Sequence, residues 1–232
     1  MEKYTCYRMG INGELDYILI VKKVIMELRD SFKKVRIIPV SVFEDVTSAL
    51  KTAELLLRHK VDVIEVTLRS ESALDCLYAI NKMFPEALTG AGSVLDRESL
   101  KKAVDAGARF AVAPCLDEGV AEYAAELNIP FIPGISTPTE LSSALKFSSM
   151  IKIFPAKALG GPDYLNCITA PFKKINFDLI PTGGIDNENF RDYLECEKVL
   201  ACGLSYPVAE KLIRGRDFVL IEKRIMELYG EI

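Results

Sequence analysis

The chain has 232 residues, half of them apolar, with 29 Lys and Arg against 33 Asp and Glu and a net charge of −4. That composition supports one buried core or at most two, and the interspersed charges exclude a basic nucleic-acid footprint or an acidic tail. No apolar run approaches a bilayer span, and the opening MEKYTCYRMG has no signal-peptide core, so a soluble, cytoplasmic protein with no nucleic-acid or membrane partner is expected.

The first 35 residues differ in pattern from the rest of the chain. Within them LDYILIVKKVIMEL places Leu15, Ile18, Val21, Ile25 and Leu28 on one helical face. This predicts an extra N-terminal helix over 13–32, packed at the base of the domain formed by residues 36–232 in preference to a subunit contact.

From residue 36 onward, short runs rich in Val, Ile and Phe read as buried parallel strands. They are RIIPVSVF (36–43), DVIEVTL (62–68), ALTGAG (87–92), RFAVAP (109–114), PFIPGI (130–135), MIKIFP (150–155), FDLIPTGG (177–184) and KVLACG (198–203). Helical stretches separate them. Residues 45–60 carry Val46, Ala49, Leu50, Ala53, Leu56 and Leu57 on one stripe, and 70–84 repeat Leu74, Leu77, Tyr78 and Ile80. Asp96 caps 97–106, Asp117 or Glu118 opens 118–127, and Thr137-Pro138 opens 138–146. Pro162 opens 163–170, Asp186 opens 187–195, and Pro207 opens one last long helix. Eight strand–helix repeats of about 22–28 residues fit an α/β fold closed as a (β/α)8 TIM barrel with an extra N-terminal helix. An open doubly wound sheet would want a G-x-G-x-x-G turn after the first strand, and PVSVFED has no glycine.

The six cysteines include no C-x-x-C pair and read as reduced thiols. The single histidine, His59, reads as a solvated helix-end residue; one histidine excludes a zinc site of two or three histidines. Acid–base chemistry then falls to Lys, Glu, Asp, Tyr or Cys.

Active sites of such barrels lie at the C-terminal strand ends, and inward residues alternate along each strand. In VIEVTLRS, Glu65, Thr67 and Arg69 share the inward parity with Val63, while Ile64, Val66 and Leu68 face the helices. Function and a buried ion pair that closes a barrel layer are both open for this polar set. In MIKIFP the same parity turns Lys152 and Phe154 inward. A lysine held away from water is disfavoured as the ammonium, and a neutral amine is the nucleophile that forms a Schiff base with a keto acid. The bland alternative is a structural lysine paired with Glu65. Lys157, past Pro155, reads as a solvated loop residue.

PTGGI (181–185) and CGLS (202–205) follow the seventh and eighth strands, where barrel loops often bind phosphate through backbone N–H groups. Thr182, Gly183, Gly184 and Ser205 are placed for this, although glycines also serve tight turns. Ser93 either donates to a substrate carboxylate or caps the next helix. Pro114 and Pro133 shape the cavity wall or simply end strands.

In order along residues 37–206, the segments EVTLRS, GAGSVL, AGARFAVAP, IPFIPGISTPTEL, KIFPA, PTGGI and CGLS resemble the 2-keto-3-deoxy-6-phosphogluconate (KDPG) / 4-hydroxy-2-oxoglutarate (KHG) aldolases. The resemblance implies a metal-free class I aldolase, a homotrimer, with Lys152 as Schiff-base nucleophile and Glu65 as general acid/base. It implies substrate contacts at Arg69, Ser93, Pro114, Phe154, Thr182, Gly183, Gly184 and Ser205, and a small keto-acid substrate, a sugar phosphate. The alternatives are an aldolase for 4-hydroxy-2-oxoglutarate or 2-keto-3-deoxy-6-phosphogalactonate, a non-catalytic barrel, or a phosphate-binding isomerase. Four departures stand out: the longer leader, Ser93 for threonine, Lys157 where many relatives carry an acid, and Leu204 in place of a glycine of the phosphate loop.

Overall fold

The computed structural model describes residues 14–230, with side chains from residue 23 onward. Cys6 and the expected helix-face residues Leu15, Ile18 and Val21 lie outside the described side chains. Helix α1 spans Glu14–Val35. The strands are β1 (Ile37–Ser41), β2 (Val63–Thr67), β3 (Leu88–Gly92), β4 (Phe110–Val112), β5 (Phe131–Ile132), β6 (Gly134–Ile135), β7 (Met150–Ile153), β8 (Asp178–Pro181) and β9 (Cys202–Leu204). The expected fifth strand is therefore two pieces, because Pro133 lacks the N–H that the ladder needs.

All pairings are parallel, in the orders β5-β4-β3-β2-β1-β9 and β6-β7-β8. The two arcs meet through Pro133 on one side. On the other, bridges Leu179–Val199 and Thr182–Gly203 join the seventh and eighth strand positions. Eight positions thus close into the expected barrel.

Helices α2 (Val46–Arg58), α3 (Ala73–Met83), α4 (Arg97–Asp105), α5 (Glu118–Glu126), α6 (Pro138–Ala144), α7 (Gly161–Thr169), α8 (Phe190–Leu194), α9 (Glu210–Arg214) and α10 (Phe218–Tyr229) cover the outside. Ile64, Val66, Ala91 and Ala111 pack outward against Leu56, Leu77, Ile80 and Leu100. Strand parity thus separates a helix-facing core from an axial one, as the alternation along β2 predicts.

The caps follow the sequence closely. Asp45, Asp96 and Asp117 accept the N–H of Ser48, Ser99 and Val120, and Thr137 with Glu140 forms a capping box. The Ser48 and Ser99 N–H groups hold the Asp45 and Asp96 carboxyls below their ordinary range, and the Ser136 N–H does the same for Glu140.

Four expectations are corrected. The last helix is two helices, since the chain breaks at Gly215 and Asp217 recaps it by accepting from Leu220 N–H. Helix α8 is only five residues long, because Asp186 and Asn189 close a polar turn instead: Glu188 N–H donates to Asp186 Oδ1 and Asp186 N–H to Asn189 Oδ1. Tyr78 is exposed rather than on the buried stripe of α3. His59 is half-buried, its Nε2 3.1 Å from Glu222 Oε1, and that contact holds the Glu222 carboxyl low.

Helix α1 lies across the N-terminal mouth. Leu28, Phe32 and Val35 join Ile38, Val63, Phe110, Met150 and Ile180 in one axial cluster. The Phe32 and Phe110 rings meet edge-on at 5.2 Å, and Arg29 grips Asp178, the first residue of β8, through two hydrogen bonds of 2.5 and 3.0 Å. Water is thereby excluded from below, so the polar residues higher on the axis are reached from the C-terminal end. Among the described residues no helix is long and apolar enough to cross a membrane, and Cys76, Cys115, Cys167, Cys196 and Cys202 are free thiols.

Candidate active site

The axis carries one ionic pair among the described residues. In the strand registers Val40 sits beside Glu65 and Glu65 beside Gly90; on the far wall Gly134 sits beside Lys152 and Lys152 beside Ile180. Neighbours in a parallel register point the same way, so Glu65 and Lys152 face each other from β2 and β7. Lys152 Nζ lies 3.9 Å from Glu65 Oε1. The two residues are 6 % and 3 % exposed.

At 3.9 Å the contact exceeds a hydrogen bond, and Glu65 Oε1 accepts none from the described residues. Burying an acceptor without a donor costs on the order of 1–3 kcal/mol. A barrel layer closed for stability alone would favour a directly hydrogen-bonded pair or apolar residues of similar volume. The pair is instead an amine and a carboxylate with hydrogen-bonding capacity to spare.

Glycines permit two close approaches beside it. A Cβ on Gly92 would fall 2.1 Å from Glu65 Oε1, and one on Gly134 would fall 2.3 Å from the Pro114 carbonyl oxygen. Both lie inside strand runs, where a glycine signals close approach; the sequence reading counted them within strands and drew nothing further from them. Thr67, one inward position above Glu65, donates to the Ser41 carbonyl, fixing the top of β2 to β1.

The other sequence-predicted residues form the rim. Arg69 follows β2 in a turn and is exposed, with no ion pair among the described residues. Phe154 was expected inside; β7 ends at Ile153, so its ring is 39 % exposed and lies 5.4 Å from Lys152 Nζ. Ser93 is half-buried just past β3 with φ +60°, and Asp96 rather than Ser93 caps the following helix. Pro114 is half-buried after β4.

Thr182, Gly183, Gly184 and Ser205 gather on the opposite side. Thr182 is buried and bridges to Gly203, where a Cβ would meet Thr182 Oγ1 at 2.4 Å. Gly183 and Gly184 have φ of +100° and +77°, a conformation that favours glycine. Ala156 N–H donates to the Thr182 carbonyl and Lys157 N–H to the Gly183 carbonyl, which laces this loop to the segment after Lys152. Ser205 is exposed; beside it the Tyr206 carbonyl accepts from Arg224, whose guanidinium stacks on the Tyr206 ring at 4.3 Å.

Leu204, the apparent intrusion into this loop, does not enter it. It is fully buried among Ile37, Ile153, Leu165 and Leu179 on the helix side of the sheet. Its neighbour in the register is Pro39, whereas Gly203 pairs with inward Ile38. The residue that faces the mouth is therefore still glycine.

A family model described as KDPG and KHG aldolase matches residues 28–224. The KHG/KDPG aldolase of Escherichia coli (strain K12) is 41 % identical over 192 residues, covering 82 % of this chain and 89 % of that protein. The 2-dehydro-3-deoxy-phosphogluconate aldolase of Dickeya dadantii is 39 % identical over 183 residues, covering 78 % and 85 %. Among solved structures, the KDPG aldolase from Legionella pneumophila, with pyruvate captured at low pH as a covalent carbinolamine intermediate, superposes with a TM-score of 0.82 at 34 % identity, covering 87 % of this chain and 97 % of that one. The enzyme of Zymomonas mobilis ZM4 with 3-phosphoglycerate gives 0.81 at 30 % identity, covering 89 % and 96 %.

Proposed function

The chain belongs to the KDPG and KHG aldolase family, and on that premise we propose that it is a class I aldolase cleaving 2-keto-3-deoxy-6-phosphogluconate to pyruvate and glyceraldehyde 3-phosphate. The observation that carries this reading is the buried Lys152–Glu65 pair at 3.9 Å, approached from the glycine-lined C-terminal mouth.

Lys152 is the nucleophile. Its amine attacks the C2 ketone to give a carbinolamine, and loss of water leaves a protonated imine. Glu65 accepts the C4 hydroxyl proton. The C3–C4 bond then breaks, its electron pair passes into the imine as an enamine, and the aldehyde leaves. Protonation of the enamine at C3 and hydrolysis of the imine release pyruvate and restore the amine. Binding of pyruvate as a carbinolamine in the Legionella relative is the same chemistry.

At the rim, Arg69 pairs with the keto-acid carboxylate, assisted by the Ser93 hydroxyl, while Pro114 and Phe154 wall the channel. Backbone N–H groups of Gly183, Gly184 and Ser205, with Thr182, hold the phosphate. This favours a phosphorylated substrate over 4-hydroxy-2-oxoglutarate, because the outward turn of Leu204 leaves the loop's inner face as glycine. Assembly as a homotrimer rests on the family reading alone, and the free thiols support a reducing, cytoplasmic setting.

The test is release of pyruvate, followed by coupled reduction to lactate, from KDPG and from 4-hydroxy-2-oxoglutarate in parallel. Preferential cleavage of KDPG is expected. Pyruvate release from neither compound contradicts the assignment.

A further inference from the structure

Lys157 is the conspicuous charge that the cleavage chemistry leaves unused. It is exposed, and its ammonium makes no ion pair among the described residues. Its position is nonetheless tightly defined. The Lys157 N–H donates to the Gly183 carbonyl at 3.0 Å, and the Ala156 N–H before it donates to the Thr182 carbonyl at 2.8 Å. A Cβ on Gly184 would lie 2.6 Å from Lys157 Cβ and 3.0 Å from its Cδ. The aliphatic stem therefore lies flat against the Gly184 backbone, in the space a side chain there would fill. The neighbouring acid, Asp186, is occupied in its own turn, accepting from Glu188 N–H.

A stem seated on a glycine loop limits where its ammonium can go. Contact of the stem with Gly184 anchors the side chain beside the Thr182–Gly184 loop and keeps its charge in reach of that loop. A phosphate monoester carries about −1.5 to −2 charge at neutral pH, so a cation here discriminates between substrates by charge at that end. It adds nothing at the reacting carbons, which lie deeper, beside Lys152.

We propose that Lys157 is a specificity-determining residue, whose ammonium completes the phosphate end of the site and favours phosphorylated 2-keto-3-deoxy acids over their unphosphorylated counterparts. This role rests on the aldolase reading and on the glycine loop as the phosphate end.

The experiment compares wild type with Lys157→Gln, Lys157→Arg and Lys146→Gln, the last an exposed lysine just before β7, at the opposite end of the barrel. Steady-state cleavage is measured on KDPG and on 2-keto-3-deoxygluconate at low and high salt. Lys157→Gln should raise the KM for KDPG about twofold to fivefold with kcat unchanged, as for loss of an exposed charge contact. The KM for 2-keto-3-deoxygluconate should not move, Lys157→Arg should restore the wild-type value, and added salt should narrow the gap. An unchanged KM for KDPG, equal shifts on both substrates, or the same shift in Lys146→Gln overturns the inference. Trapping of a pyruvate adduct by borohydride in the same preparations separates the two levels: an adduct with an unmoved KM defeats the role of Lys157 alone, whereas no adduct in wild type defeats the aldolase reading and this inference together.

Discussion

Lys152 Nζ and Glu65 Oε1 stand 3.9 Å apart on opposite walls of the barrel, both buried, with no hydrogen bond between them. Two long polar side chains from β7 and β2 converge on the axis, and Gly92 supplies no side chain where Glu65 Oε1 lies. Helix α1 and the Phe32–Phe110 contact close the space beneath. On the reading proposed above, this separation leaves the two side chains without a hydrogen bond to each other and available to a substrate.

Replacing Glu65 by Gln keeps the shape and removes the base. The kcat for KDPG cleavage should fall by about 10²–10⁴, while pyruvate with borohydride still labels Lys152. Steady-state kinetics with mass spectrometry of the labelled protein checks both parts. A wild-type kcat in Glu65→Gln would remove the carboxylate from the proton-transfer step.

Leu204 should matter for stability and not for substrate. Its side chain is fully buried on the helix side of β9, so Leu204→Ala should cost about 2–5 kcal/mol in denaturant unfolding. The KM for KDPG, measured where the variant is folded, should stay at the wild-type value. A raised KM would mean that residue 204 reaches the phosphate end after all.

The Asp96 cap gives a pH signature. Hydrogen bonds from Ser99 hold this carboxyl below its ordinary value in the folded chain. A group lowered on folding contributes stability that is present above its unfolded pKa, about 3.9, and is lost as pH falls through the lower folded value. Asp96→Ala should therefore cost about 1 kcal/mol at pH 7, and the gap to wild type should close as the pH drops below about 4. Thermal melts of both proteins across that range show whether it does.

Much of the barrel and its axial pair was legible in the sequence, and the reasons are local. The period-2 alternation in VIEVTLRS and MIKIFP sorted Glu65 and Lys152 from Ile64, Val66, Ile151 and Ile153, because a strand fixes the side of every residue. Asp96 and Thr137 were readable as helix starts because their partners lie three residues away. What was missed depends on distance. Gly92 and Gly134 matter for what crosses from other strands, and nothing nearby in sequence records that. Past the strand ends parity says less: β7 stops at Ile153, and Phe154 is 39 % exposed at the mouth with its ring 5.4 Å from Lys152 Nζ. The same local rule, carried one residue further along β9, shows Leu204 on the outer face, once its pairing with Pro39 is known.

On the proposed reading, formation of an imine on Lys152 is the step on which everything else turns. Wild type, Lys152→Met and Lys157→Gln are each incubated with pyruvate and reduced with borohydride, and the modified residue is located by peptide mass spectrometry. One pyruvate-derived adduct is predicted at Lys152 in wild type and in Lys157→Gln, and none in Lys152→Met. No adduct at saturating pyruvate, or an adduct mapped to Lys157, would contradict it.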